Sequence, residues 1–228
     1  MNVCFSGYTA VGKTTHSLLL AETLGFAYVS ASEILLERLD VDRTKVNESR
    51  TWFDRYQEFG SILKSSSIDA EIDEYLGRRA REDDRVVFDT RFLPWFSGDG
   101  SLRIWLESDL AARARKCFVS IDGAGPDVLE CAIKVQRRDT LDVERLLDGH
   151  GQIFAPDRDV FDAVLDNSSL IPEPTRRCAD NGIAVFHEYV MATIEALDGD
   201  RRRLDKLFDM DPAMAGSIVR YVRDVHEG

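Results

Sequence analysis

Short, continuous apolar runs recur along the chain and are separated by longer stretches whose apolar residues follow a helical period. The runs are Val3-Cys4-Phe5-Ser6, Phe26-Ala27-Tyr28-Val29-Ser30, Arg85-Val86-Val87-Phe88-Asp89, Leu102-Arg103-Ile104-Trp105-Leu106 and Ala163-Val164-Leu165-Asp166. Continuous rather than alternating apolar character predicts strands buried on both faces, as in a parallel sheet. Between them, His16 to Leu24 has helical spacing and ends at Gly25, a C-cap residue. Helices are also predicted from Ala31 to about Asp40, over Ser108–Phe118, and over Thr175–Leu197, and a charge-dense one spans Arg137–Arg145. Strand and helix alternating in this way predict an α/β protein built in three layers.

Two stretches depart from the alternation. Residues 41–84 contain no convincing strand; Val46–Phe59 and Ser67–Arg81 read as helices joined around Gly60, with a helix entrance at Ser66-Ser67-Ile68-Asp69. Trp52, Phe53, Tyr56 and Phe59 form an aromatic stripe that fits the core of a helical subdomain better than a base-stacking wall. The tail from Asp198 to Gly228 reads as one or two amphipathic helices split near Asp211-Pro212. It is expected to pack on the core; a regulatory or substrate-binding role and dimerisation through its apolar face are the alternatives.

Composition narrows the class. With 228 residues, 44% of them hydrophobic, the chain can bury one substantial core with small appendages. A net charge of -12 excludes general nucleic-acid binding and attachment to an anionic membrane. Phosphate recognition must then come from local clusters of Arg and Lys. Cys4, Cys117, Cys131 and Cys178 lie far apart, with no CxxC pair, and read as free thiols in a reducing compartment. The chain enters its first strand at once, leaving no room for a signal peptide, and no apolar run approaches membrane-spanning length. A cytoplasmic monomer or homodimer is expected.

The chemistry is announced by Gly7-Tyr8-Thr9-Ala10-Val11-Gly12-Lys13-Thr14, a GxxxxGK[ST] pattern between the first strand and the first helix, which Thr15 opens. Its glycines let backbone N–H groups turn towards phosphate oxygens, and the helix N-terminus adds its positive end. Lys13 is placed to reach the β- and γ-phosphates of ATP, and the Thr14 hydroxyl to sit on Mg²⁺. Asp89 ends a parallel strand, where its carboxylate faces the ligand crevice and can hold Mg²⁺ through water, a role favoured over helix capping or turn formation. Arg91 stands at the same mouth, either gripping a second phosphate or forming a surface ion pair. Arg138, Asp142 and Arg145, four and three residues apart, share one helical face. Beside a phosphate loop, the two arginines can clamp a transferring phosphoryl group, with Asp142 holding them in register. His16, His150, His187 and His226 are scattered and read as structural or exposed. No general base is evident, which suits an acceptor that is already an anionic phosphate.

The chain resembles the nucleoside monophosphate kinases, and among them the cytidylate kinases. The resemblance rests on Gly7–Thr15, on Leu24–Glu33, on Val87-Phe88-Asp89-Thr90-Arg91, on Ile104-Trp105-Leu106 with Arg113, and on Arg138-Asp139 followed by Asp142 and Arg145. It implies a P-loop kinase core over residues 1–197 with a sheet of five parallel strands. It also implies a helical acceptor-binding insertion at about 41–84, a lid region at about 118–158, and an extra helical tail at 198–228. By the same likeness Arg91, Arg138, Asp142 and Arg145 gather around the acceptor's phosphate and the transferred one. The implied reaction is ATP- and Mg²⁺-dependent phosphorylation of CMP, dCMP or a modified cytidylate. A hydroxyl acceptor on another small metabolite is the alternative, and a nucleotide-binding regulatory module is a third. Thr90 replaces the glycine usual in the family, which narrows the approach to the acceptor.

Overall fold

The computed structural model describes residues 1–39, 68–121 and 126–224. The Val46–Phe59 helix with its aromatic stripe, and residues 122–125 within the expected lid region, lie outside the described residues. Six strands form one sheet: β1 (Asn2–Ser6), β2 (Ala27–Ser30), β3 (Val86–Asp89), β4 (Ser101–Glu107), β5 (Ala163–Asp166) and β6 (Val219–Val222). The described helices are α1 (Lys13–Leu24), α2 (Ala31–Arg38), α3 (Ile68–Glu82), α4 (Leu110–Ser120), α5 (Val128–His150), α6 (Arg176–Leu197), α7 (Arg202–Met210) and α8 (Pro212–Ile218).

The sheet order is β2-β3-β1-β4-β5-β6, and the first five strands are parallel. The five expected strands are all present. Their apolar runs are continuous because the sheet is covered on both sides. Val3 and Phe5 of β1 join α1 and α6 in one core, and Cys4 between them packs with Phe88 against α2 and α3. A third cluster, built on fully buried Trp105, Phe154 and Phe161, closes the end beside the phosphate loop.

The tail corrects the sequence reading. Its helices α7 and α8 do divide at Asp211-Pro212, but they deliver a sixth strand, β6, antiparallel to β5. Ala215, Ile218, Val219 and Val222 are spaced i, i+3, i+4 and i+7, so the periodicity reads as helix. The open edge of β5 decides otherwise: it offers a ladder of unpaired backbone groups, and the β-branched residues fit a strand. Ala215 and Ile218 are buried in the main core. Among the described residues no helix is long and apolar enough to cross a membrane.

Candidate active site

The phosphate loop joins β1 to α1, and its shape depends on two glycines. Gly7 has φ 138°, and a Cβ there would lie 2.2 Å from the Leu106 carbonyl oxygen of β4. Gly12 has φ 100° at the N-cap of α1. Ala10 is held at φ 62°, a left-handed conformation that L-residues seldom adopt and that clusters at functional sites. Helix α1 begins at Lys13, two residues earlier than the sequence suggested, so Lys13 and Thr14 form its first turn.

The loop borders a cavity of about 450 Å³. Lys13 is buried beside it, and its Nζ donates to the Gly7 and Tyr8 carbonyls at 2.7 and 2.9 Å. Burial, reinforced by the neighbouring Arg91 guanidinium, lowers its pKa to about 7. On the cavity floor the Thr14 hydroxyl donates to Asp89 Oδ2 at 2.6 Å, and Tyr28 donates to the same oxygen at 3.2 Å. A threonine hydroxyl and a strand-end carboxylate in contact are the hard oxygen donors that Mg²⁺ takes. The residues fit that ion.

Three arginines enclose the opposite side. Arg91 pairs with Asp142 and donates to Thr9 Oγ1 at 3.3 Å. Arg145 donates from Nη1 to Asp142 Oδ1 at 3.1 Å and from Nε to Asp69 Oδ2 at 3.0 Å. Its guanidinium also lies 5.1 Å from the Phe92 ring centroid. Burial works against the charge of Arg145, yet Asp142 and Asp69 hold its pKa above the ordinary value. Arg138 is half-buried in the same group. Desolvation, then repulsion from Arg91, lowers its pKa to about 9. Cations crowded together at such a cost are a site for an anion with several charges.

Asp142 sits among these arginines. Its carboxylate bridges Arg91 and Arg145, and Arg138 lies in the same group of charges. Asp139, next to Arg138, turns the other way: it pairs with buried Arg113 and accepts the Thr9 N–H of the phosphate loop at 2.8 Å. Arg113 also donates to the Ser108 and Thr9 carbonyls at 3.1 and 3.2 Å. Helix α5 is therefore fastened directly to the phosphate loop. Thr90 lines the cavity and is buried, with its N–H on the Phe5 carbonyl at 3.3 Å.

With this geometry in place, comparison with known proteins is informative. No protein-family model matches the chain. It is 25% identical over 191 residues to a cytidylate kinase of Natronomonas pharaonis, covering 82% of this chain and 91% of that one. It is 27% identical over 171 residues to a cytidylate kinase of Pyrococcus abyssi, covering 75% and 87%. A solved structure of an uncharacterized protein from Eubacterium ventriosum aligns over 86% of this chain and 98% of its own, with a TM-score of 0.57 at 10% identity. The chain is similar to the cytidylate kinases over most of its length, which supports a nucleoside monophosphate kinase. Every site residue singled out in the sequence, from Gly7 to Arg145, falls on or beside one cavity.

Other cavity residues escaped sequence reading. Asp69 and Asp73 stand four apart on α3, one turn of a shared face, a spacing that α3's amphipathic pattern already contained. Asp73 pairs at 2.8 Å with His150, which is exposed as expected. Burial raises the Asp73 pKa to about 6 despite His150. Asn167 directly follows the end of β5, and the crevice argument that marked Asp89 applies to it as well. Lys116, three residues after Arg113, donates to Ser108 Oγ at 2.9 Å and pairs with the Asn167 side-chain oxygen. Cys4, Cys117 and Cys131 are free and buried, and Cys178 is free and half-buried. Among the described residues no His, Cys, Asp and Glu group forms a metal cluster.

Proposed function

We propose that this kinase transfers the γ-phosphoryl group of ATP, with Mg²⁺, to a pyrimidine nucleoside 5′-monophosphate, giving the diphosphate and ADP. CMP, dCMP and modified cytidylates are the acceptors that the named relatives point to. The observation that carries the reading is the convergence of Lys13, Arg91, Arg138 and Arg145 on one cavity beside the Thr14–Asp89 pair. Lys13 and the loop amides bind the β- and γ-phosphates. Arg91, Arg138 and Arg145, oriented by Asp142 and Asp69, bind the acceptor phosphate and the oxygens of the group in flight, where charge is spread. Mg²⁺, held by Thr14 and Asp89, would supply charge neutralisation at the phosphates. Helix α5, tied to the loop through Asp139, brings the arginines over the cavity and excludes water, which restrains ATP hydrolysis. The substrates are thus ATP and a small phosphorylated acceptor, with neither nucleic acid nor membrane involved.

Purified protein incubated with ATP, Mg²⁺ and each monophosphate in turn is expected to release ADP fastest with CMP or dCMP. Background ADP release with every monophosphate overturns the reading. One observation favours a second acceptor class: Asp73, with its pKa of about 6, lines the cavity and is a candidate base for a hydroxyl. A panel of hydroxyl acceptors without phosphate separates the two, since a monophosphate kinase ignores them.

A further inference from the structure

The C-terminal strand is bound to β5 by two ion pairs at opposite ends. The antiparallel register sets Val222 against Ala163 and Val219 against Leu165. Near the amino end of β5, Arg223 donates to Asp162 Oδ1 at 2.7 Å. At the carboxyl end, Arg220 donates from Nε and Nη2 to Asp166 Oδ2 at 3.2 and 2.9 Å. Ligands bind outside the carboxyl ends of parallel strands, so only the Arg220 tie lies towards the cavity.

The other oxygen of Asp166 closes a turn. Oδ1 accepts the Ser168 N–H at 2.8 Å and the Ser168 hydroxyl at 2.5 Å, an Asx-type arrangement that fixes the intervening Asn167. Although burial pushes the other way, these bonds and the Arg220 guanidinium hold the Asp166 carboxyl below the ordinary range. Ser168 Oγ in turn accepts the Asp109 N–H at 2.8 Å, at the N-cap of α4. Asn167 lines the cavity, and its side-chain N–H donates to the Val11 carbonyl of the phosphate loop at 2.9 Å. Its oxygen takes the ammonium of Lys116, which lines the cavity too. The turn is therefore a clasp joining the phosphate loop to the wall made by α4.

We propose that Arg220 is a positioning residue for the donor nucleotide: by fixing Asp166 it sets the turn that holds Asn167 and Lys116 against the phosphate loop. The strand added by the tail then serves the triphosphate half of the site as well as the sheet edge. Arg220 itself does not line the cavity, so it acts through Asp166. This rests on the reading that the cavity takes ATP.

Calorimetric titration of ATP with Mg²⁺ into the full-length protein, alongside thermal melting and steady-state kinetics, tests it. Arg220→Ala is expected to weaken ATP binding about two- to five-fold, the scale of one partly exposed ion pair, and to raise the KM for ATP but not the KM for the acceptor. Arg220→Lys should recover part of the loss. Arg223→Ala removes the other tie and should lower the melting temperature comparably while leaving ATP affinity unchanged. Equal ATP affinity in Arg220→Ala and the wild type overturns the proposal. So does equal weakening in Arg220→Ala and Arg223→Ala, which would make the effect one of tail docking. Wild-type protein that does not bind ATP overturns the functional reading and the proposal together, a result distinct from the other two.

Discussion

At the scale of single residues, the site is built from groups that the folded chain holds at a cost. Lys13 is buried, its pKa is lowered to about 7, and Arg91 stands close by. A methionine of similar stem volume would remove the desolvation of the ammonium and the repulsion, losing only two hydrogen bonds to loop carbonyls. Lys13→Met is therefore expected to melt at a temperature no lower than the wild type, while kcat falls at least about 100-fold, the typical loss when a preorganised charge contact is removed. A variant that keeps near-normal turnover would show that Lys13 does not meet the transferring phosphate. Gly7 carries the opposite lesson: its φ of 138° and the Leu106 carbonyl 2.2 Å from any Cβ make it a requirement of the backbone, not of the chemistry.

At the scale of elements, the junction between α5 and the phosphate loop is the critical contact. Arg113 and Asp139 are both nearly buried and satisfy each other, and Asp139 also takes the Thr9 amide. Asp139→Ala leaves the Arg113 charge uncompensated in that interior, so a loss of about 3–5 kcal/mol is expected. Urea unfolding should report it as a lower midpoint at an unchanged slope. Arg113→Met together with Asp139→Leu should recover much of the stability, because a buried pair replaced as a whole costs far less than one broken. Here the limits of the sequence are visible. The phosphate loop, the five parallel strands and the Asp89 and Arg91 positions were legible because each is set by a local pattern: glycine spacing, apolar runs, and the carboxyl end of a strand. The division of labour between Asp139 and Asp142 was not, because neighbouring turns of α5 face different partners that only packing supplies. Strand β6 was hidden for the same reason, since its apolar positions repeat with a helical period and the edge of β5 overrules them.

At the scale of the whole molecule, the buried titratable groups predict how stability changes with pH. Burial lowers Lys13 and Lys116 to about 7, far under the usual lysine value of 10.5. Below pH 7 both stay protonated in the native and the unfolded chain, and the full cost of burying two ammonium groups is present. Between pH 7 and 10.5 the unfolded chain keeps protons that the native one has released, so it binds more protons and stability rises with pH. Two thiols oppose this at the upper end. Burial pushes Cys4 up to about 12 and also raises Cys117, whereas the same thiols in the unfolded chain ionise near 9. Above about pH 9 these thiols make the native chain keep protons that the unfolded one has lost, which offsets the two lysines up to about pH 10.5, beyond which stability falls. The melting temperature should therefore climb by several degrees from pH 6.5 to 8.5, level off beyond about pH 9 and decline above about pH 10.5, given that about 1 kcal/mol moves a protein of this size by about 2–4 °C. Lys13→Met should flatten the rising limb, and Cys4→Ala the falling one. A melting temperature that is constant from pH 6.5 to 8.5 would mean that Lys13 and Lys116 keep their protons in the folded kinase, and that the cavity carries its full positive charge before any nucleotide arrives.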